Sequence, residues 1–418
     1  MGNNTLLRDS LWAYIGSCVG KLMALVAGIL IARFLGKELY GEYGTVKNTL
    51  TYAAIVSSFG FGYSATKFIA DYIINKKEKI RSLVKTVTMI TVLLGVLLSL
   101  VVSIFSSPIA VFLESPHLEM PLRYLSVLVL FNSLTATQTA ILSGFKKFKE
   151  LAYVNVVTGA VTLVASAILT FYYGLYGAIV ALLLAFIAQA IYSHVAIHNE
   201  LKKYESDEKL TLSEVKSLLS FSTPIALQES LYTITSSCSL FLMIKYANYG
   251  EVGLNAAAST WESIVIFIPG VLKNVMFSYL SSSNNHQKLV TSLLRYNFFA
   301  SLIPTLLFIL CSRIIVSMYG DNFSALTPVL LVALVAAVVV SVSEVLCYEF
   351  ISKGKPWTVF LARTCRDCLS LLGTYILLIN VNSMQAFGAK TIGLVCQIIF
   401  FLLLLYYYHA SNRERGIE

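Results

Sequence analysis

Charged residues are scarce in this chain. Asp, Glu, Lys and Arg make up 13% of its 418 residues, about half of the share found in ordinary soluble domains. Hydrophobic residues make up 57%, and the mean hydropathy is +0.75. This composition excludes a soluble enzyme, and the net charge of +9 is better explained by membrane topology than by a nucleic-acid partner. It predicts an all-α polytopic membrane protein that lies in a lipid bilayer.

The motifs of several common chemistries are also missing. No G-x-x-x-x-G-K-[ST] loop is present, so ATP cannot drive this chain alone. The five histidines lack metal-ligand spacing, and the seven cysteines all lie in apolar runs and are odd in number. Cys365 and Cys368 form a C-x-x-C pattern that could be redox-active or metal-binding, but within a membrane helix it indicates packing. We therefore expect no enzyme, no catalytic residue, no cofactor and no metal.

What the chain has is a series of twelve apolar runs, each suited to one membrane crossing of about 20 helical residues. They cover residues 11–32, 45–66, 83–107, 124–144, 151–173, 175–197, 219–244, 254–280, 291–316, 325–351, 357–379 and 391–408. A short outer link, 33–44, joins the first two. Prolines within runs occur only in the second half, at Pro224, Pro269, Pro304 and Pro328, so bending is expected to concentrate there.

The distribution of basic residues predicts the orientation of these runs. One set of loops contains twenty Lys and Arg residues, with Lys67 among them, whereas the opposite set contains six, with Lys390 among them. Because the basic loops of membrane proteins stay in the cytoplasm, both termini are predicted to be cytoplasmic. The location expected is the bacterial inner membrane.

The two halves of the chain repeat one another. Tyr40-Gly-Glu-Tyr-Gly44 is matched by Tyr249-Gly-Glu-Val-Gly253, and two further short matches follow at nearly the same offset. The repeat predicts a lobe of six helices at 1–197, a cytoplasmic linker at 198–218 and a second six-helix lobe at 219–418. Two such lobes are related by a pseudo-two-fold axis along the membrane normal, an arrangement typical of alternating-access transporters. Within the linker, Thr211 and Glu214 have the spacing of a capping box.

The first two runs each contain one lysine and no acidic residue. A lysine at the centre of a membrane helix costs about 2.5–3.5 kcal/mol on insertion scales, so Lys21 and Lys47 need a reason to be there. One interpretation is that they bind an anionic substrate such as a phosphate or pyrophosphate. The alternatives are hydrogen bonds to carbonyls and hydroxyls or, for Lys47, extension to the outer surface. Small residues recur at every fourth position from Gly16, which predicts close approach of another helix.

Charges of both signs occur in the second half. The basic candidates for substrate binding are Lys273, Arg363 and Arg366, and the acidic candidates for ion coupling are Glu229, Glu262, Glu344 and Asp367. Arg363 and Asp367 have i,i+4 spacing, which predicts that they pair and leave Arg366 freer. Glu229 and Glu262 could carry a proton, since desolvation raises the pKa of a carboxyl group, or each could pair with a base of the same lobe. Polar residues such as Asn132, Asn155 and Gln397 could bind sugar hydroxyls or join helices.

With these residues in view, the chain resembles O-antigen and polysaccharide repeat-unit flippases of the Wzx type. Their superfamily also holds multidrug/toxin-extrusion antiporters and lipid II flippases. The resemblance rests on ARFLGKELYGEYG at 32–44, GFGYSATKFIADY at 60–72 and WESIVIFIPGVLKNV at 261–275. It covers the full length and implies a MATE-like fold. Where the family often has a proline near the end of span eight, this chain has Phe277-Ser-Tyr-Leu-Ser281, so no helix break is expected there.

The resemblance also implies a substrate. Drug antiporters of the superfamily typically have an acidic residue in the first span, and this chain has Lys21. Lipid II flippases have basic residues in the first two spans and extra helices, which this chain lacks. The expected cargo is therefore an undecaprenyl-pyrophosphate-linked oligosaccharide, moved from the cytoplasmic to the periplasmic leaflet with proton or sodium coupling. Other polysaccharide assembly proteins are a further class of partner to consider.

Two other functions compete with this one. A cation-coupled multidrug exporter would use Glu229 or Glu262 for coupling. A membrane-embedded polysaccharide polymerase or ligase would be an enzyme, but such enzymes usually need a large outer loop, and the predicted outer loops here are short. The duplicated halves fit a transporter better.

Overall fold

The computed structural model describes residues 3–204, 206, 208–270, 286–353 and 355–413. Lys273 and the stretch 277–281 lie outside these residues. The described part contains α-helices and short 3-10 turns and no β-strand. The α-helices are α1 (Asn3–Ser57), α2 (Phe61–Asn75), α3 (Ile80–Ile104), α4 (Ser106–Phe112), α5 (Glu119–Leu125), α6 (Val127–Gly144), α7 (Phe148–Leu201), α8 (Leu212–Tyr246), α9 (Tyr249–Gly270), α10 (His286–Leu310), α11 (Ser312–Tyr319), α12 (Leu326–Ser352), α13 (Pro356–Asn380) and α14 (Gln385–Arg413).

The link expected at 33–44 is helical almost throughout, so that boundary was wrong. Helix α1 continues through it with one break at Gly36, where φ is 74° and ψ is 172°. A glycine adopts positive φ without the steric cost of a Cβ, so the chain can break the helix at this one residue and be helical before and after it. The second predicted run is divided instead at Phe59 and Gly60, both with positive φ, before α2 begins.

Helix α7 confirms the predicted boundary between the runs 151–173 and 175–197. Its one non-helical residue is Gly174, the single position between those runs, with φ 55° and ψ −132°. Proline bending is a different matter. Pro224, Pro269 and Pro304 lie inside continuous helices, and the two residues with non-helical dihedrals within described helices, Gly36 and Gly174, belong to the first half of the chain. Because a proline can bend a helix whose dihedral angles stay helical, the expectation that bends concentrate in the second half remains a prediction.

Seven described helices are long and apolar enough to cross a membrane, and α1 and α7 are long enough to cross it twice. Large apolar side chains cover the outside of these helices. On α3, for example, Leu93, Leu97 and Ile104 are exposed, as expected for side chains whose natural solvent is lipid. The chain is thus an all-α polytopic membrane protein, as predicted.

The helices form two compact units, with residues 1–35 and 42–237 in the first and residues 36–41 and 238–418 in the second. In the first unit, α6 packs against α2, α3 and α7. Fully buried residues such as Ile69, Val87 and Ile141 fill the space among these helices. The lobe limits predicted from the repeat, 1–197 and 219–418, remain a prediction.

Helix α12 is the centre of the second unit. It packs against α9, α10, α13 and α14, and about two thirds of its apolar stretch, 67%, is buried. The two YGE motifs of the repeat also meet here. The backbone around Gly41 lies against Tyr249 and Gly253, so closely that a Cβ on Gly41 or Gly253 would overlap the opposite carbonyl oxygen. Glycine is required at this crossing because no side chain fits between the two backbones.

Candidate functional site: charges within the spans

Lys21 lies on a face of α1 that packs closely against α7. Gly16 and Gly20 contact the backbone of Ala152 and Asn155, which confirms that the small residues admit a neighbouring helix. Ser17, one turn before Lys21, accepts a 2.8 Å hydrogen bond from the Asn155 side-chain amide. The lysine side chain itself is exposed. Lys21 therefore extends from a seam that already contains polar groups.

Lys47 has a matching environment in the second part of α1. Thr51, one turn after it, is joined to the amide of Asn132 on α6 by a long hydrogen bond of 3.5 Å. Lys47 is exposed, and its ammonium group forms no ion pair or hydrogen bond with the residues that the structure describes. The nearest acid on α1, Glu42, is bonded instead to His117 at 2.9 Å. Asn132 and Asn155 thus join helices, one of the two roles predicted for them.

The two arginines of α13 are held differently from what the sequence predicted. Arg363 pairs with Glu344 of α12 at 2.6 Å, and Arg366 pairs with Asp367 at 2.6 Å. The predicted pair between Arg363 and Asp367 was therefore wrong. The i,i+4 rule considers one helix surface only, whereas α12 supplies a carboxylate from a neighbouring helix.

Arg366 also belongs to a hydrogen-bonded network. It donates to the side-chain oxygen of Gln397 at 3.0 Å, and Gln397 donates to the hydroxyl of Ser343 at 3.0 Å. The guanidinium carbon lies 5.0 Å from the ring centroid of Phe400. Three helices, α12, α13 and α14, are tied together in this way. Because an arginine fork fits several partners at fixed geometry, this arrangement is suited to holding helices in place.

Glu262 pairs with a lysine that the sequence had assigned to an outer loop. Lys390 lies in the second turn of α14 and contacts Glu262 of α9 at 2.7 Å and the Ser259 hydroxyl at 2.9 Å. Of the two alternatives weighed for Glu262, the structure contains the ion pair. Glu229, which the sequence grouped with these charges, is half-buried on α8 within the first unit. Lys273 lies outside the described residues.

A second charge cluster lies outside the spans, where the linker meets α2. Thr211 and Glu214 form the predicted capping box, with the Thr211 amide donating to Glu214 at 2.9 Å. The sequence did not predict that Glu214 also forms ion pairs with Lys76 at 2.5 Å and with Lys79 at 3.1 Å. These hydrogen bonds lower the pKa of Glu214 to about 2. Among the described residues, no group of three or more His, Cys, Asp or Glu is placed to hold a metal ion.

Fold and charges together define a multi-pass membrane protein with lysines on the spans of one unit and ion pairs within the other. The chain belongs to the polysaccharide biosynthesis protein family, whose model matches residues 6–284. An uncharacterized membrane protein of Methanocaldococcus jannaschii is 27% identical over 243 residues, 55% of this chain and 57% of that protein. The match therefore spans little more than half of that relative.

Solved transporter structures have the same fold. An inward-facing multidrug resistance MATE-family transporter of the MOP superfamily superposes with a TM-score of 0.76 at 16% identity, over 97% of this chain and 99% of the other. The lipid II flippase MurJ in an inward closed conformation gives 0.74 at 15% identity, over 96% and 87%. A MOP superfamily transporter from Pyrococcus furiosus gives 0.64 at 16% identity, over 97% and 95%. At these identities the likeness shows the fold alone.

Proposed function

We propose that this protein moves undecaprenyl-pyrophosphate-linked oligosaccharide repeat units from the cytoplasmic leaflet to the periplasmic leaflet. The observation that carries the proposal is the charge of the first unit. Lys21 and Lys47 lie on helical stretches that contain no acidic residue. Each lies one turn from a hydroxyl that bonds to an asparagine of another helix. Ionisable groups within the membrane usually mark a substrate path, and a pyrophosphate is an anion that lysine binds by charge-assisted hydrogen bonds.

The charges of the second unit support a substrate-binding role for the first. Glu262, Glu344 and Asp367 each have a basic partner within 2.7 Å. An anion would therefore have to compete with a carboxylate for the basic residues of α13 and α14, whereas the apolar runs of Lys21 and Lys47 contain no acidic residue. Arg363 and Arg366, proposed at first as substrate ligands, act in this scheme as structural charges unless the substrate displaces their carboxylates.

Membership in the polysaccharide biosynthesis family favours a glycan-linked cargo over a cationic drug. The fold shared with a lipid II flippase suits a lipid-linked glycan. The P. furiosus transporter is described as having a binding pocket of reverse polarity that suggests a different function. Lys21, in the span where drug antiporters of the superfamily typically have an acid, would be a reversal of the same kind. We propose the bacterial inner membrane, with both termini in the cytoplasm, as the location.

The test is leaflet exchange in proteoliposomes. Purified protein is reconstituted with a defined undecaprenyl-pyrophosphate-linked oligosaccharide, and its appearance in the opposite leaflet is followed with and without a pH gradient. Exchange above protein-free vesicles is expected, and dependence on the gradient would identify proton coupling by Glu229 or another acidic residue. Absence of exchange in a correctly inserted protein would overturn the proposal.

Two further outcomes would assign a different function. Resistance to cationic compounds on expression, with unchanged surface polysaccharide, would identify a drug exporter. Transfer of sugar between lipid-linked units by the purified chain would identify a polymerase or ligase.

A further inference from the structure

Lys67 lies on α2 in the first unit, outside the two apolar runs that contain Lys21 and Lys47. Its position directly after the apolar run 45–66 predicts a place in a cytoplasmic loop. In the structure it lies in the second turn of α2, eight residues before the helix ends at Asn75. At 1.5 Å per residue this places it about 12 Å from that end, which is predicted to face the cytoplasm.

Aromatic rings, rather than a carboxylate, support this lysine. Its ammonium nitrogen lies 3.8 Å from the ring centroid of Phe221 on α8 and 5.8 Å from that of Phe68. The two rings contact each other edge to face at 5.9 Å. The position of Phe221 is fixed by the seam between α2 and α8, where the hydroxyls of Ser64 and Ser222 are 2.7 Å apart.

Four other lysines of the first unit have carboxylate partners. Glu214 pairs with Lys76 and Lys79, and Glu200 pairs with Lys147 and Lys203. Among the described residues, the ammonium group of Lys67 contacts the two rings instead of a carboxylate. Asp71, one turn along α2, is bonded to the amide of Asn75 at 2.7 Å.

The cation–π contact leaves binding capacity on the ammonium group. Such a contact contributes about 0.5–2 kcal/mol through the ring face, and the N–H bonds that point away from the ring remain available to an anion. Lys67 and Phe221 are both exposed. An exposed cation beside an exposed ring fits a ligand that has an anionic head and an apolar tail.

We propose that Lys67 and Phe221 form a docking site for the diphosphate headgroup of a polyprenyl lipid on the cytoplasmic side, with the first isoprene units against the ring. This rests on the proposed function, since it supplies the substrate for Lys21 and Lys47. The ammonium group would bind the diphosphate by a charge-assisted hydrogen bond. Phe221 would hold the ammonium group and cover the lipid end.

Binding of geranylgeranyl diphosphate to the purified full-length protein in neutral detergent tests the site. Lys67→Gln should weaken binding about tenfold, the loss of one charge-assisted contact. Phe221→Leu should weaken it less, by about threefold, and Lys67→Arg should bind nearly as well as the wild type. Lys77→Gln is the matched control, because Lys77 is exposed close to the same helix end and should not affect binding.

Unchanged affinity in Lys67→Gln would overturn the docking site, as would an equal loss in Lys77→Gln. If inorganic pyrophosphate bound as tightly as the lipid, the assignment to a lipid would be wrong. The exchange assay separates this inference from the proposed function. A wild type that binds the diphosphate through Lys67 but moves no oligosaccharide would refute the function alone. Exchange with an unchanged half-saturating concentration in Lys67→Gln would refute the docking site alone.

Discussion

The two units of this protein treat charge in the membrane in opposite ways. In the first unit, Lys21 and Lys47 lie on stretches without an acid. In the second, Arg363, Arg366 and Lys390 each contact a carboxylate within 2.7 Å. A paired charge offsets much of its own desolvation cost. The apolar runs of Lys21 and Lys47 contain no carboxylate, and ionisable groups at such positions usually mark a substrate path. From this difference we propose that the first unit binds the substrate, whereas the ion pairs of the second unit join its helices.

The residue types follow the same division. The second unit uses arginine for its network, and the planar guanidinium of Arg366 contacts Asp367, Gln397 and Phe400 at once. The apolar runs of the first unit contain lysine, which is a compact charge on a flexible stem.

The largest effect is expected from charge reversal in the first unit. Lys21→Glu should abolish translocation, because a carboxylate at this position repels a pyrophosphate and an unpaired acid is no easier to place in the bilayer. The measurement is leaflet exchange in proteoliposomes, with membrane insertion checked separately. Lys21→Arg is the control and should retain activity. Normal exchange in the charge-reversed variant would remove the basis of the comparison.

Breaking the network of the second unit should reduce stability rather than specificity. Arg366→Leu leaves the half-buried Asp367 without its ion pair and the side-chain oxygen of the buried Gln397 without its donor, which should cost about 2–4 kcal/mol, near the values for broken buried pairs. The Tm of the purified protein in detergent measures this. In the double variant with Asp367→Leu, part of the loss should return, because the orphaned carboxylate is removed with its partner. A double variant less stable than Arg366→Leu would contradict the structural role.

A third change tests the seam that positions Lys21. Gly20→Val should force α1 away from α7, because a Cβ at this position overlaps the backbone of Asn155. A loss of about 1–3 kcal/mol is expected from overpacking, together with reduced translocation. Tm and leaflet exchange measure the two effects. Gly62→Val is the matched control, since no atom lies within 4 Å of a Cβ there.

The smallest effect is expected at Glu214, outside the spans. Folding lowers the pKa of this carboxyl group from its usual 4.5 to about 2. Its contribution to stability is therefore fully present above pH 4.5 and disappears as the pH falls toward 2. Glu214→Gln should lower the Tm slightly at neutral pH, and the difference from the wild type should shrink in acid. A difference that stays constant from neutral pH into that acidic range would refute the ion pair.

Local rules predicted the parts of this structure that depend on neighbouring residues. The apolar runs, the boundary at Gly174 and the capping box at Thr211 and Glu214 are of this kind. The errors arose where a segment distant in sequence supplies the partner of a charged residue, or where a charged residue was assigned to a loop. Glu344 pairs with Arg363 from a neighbouring helix. Lys67 and Lys390 lie inside helices, although each stands directly outside a predicted apolar run. Neither position follows from sequence spacing, because each depends on how the helices pack.

The crossing at Gly41 and Gly253 brings two main chains together with no side chain between them. The contact there is made by main-chain atoms, which every residue has, so it does not depend on the side chains at neighbouring positions. A single methyl group added to either glycine would push the two backbones apart. Alanine at either glycine is thus the smallest mechanical probe this protein offers of how tightly its repeated motifs meet.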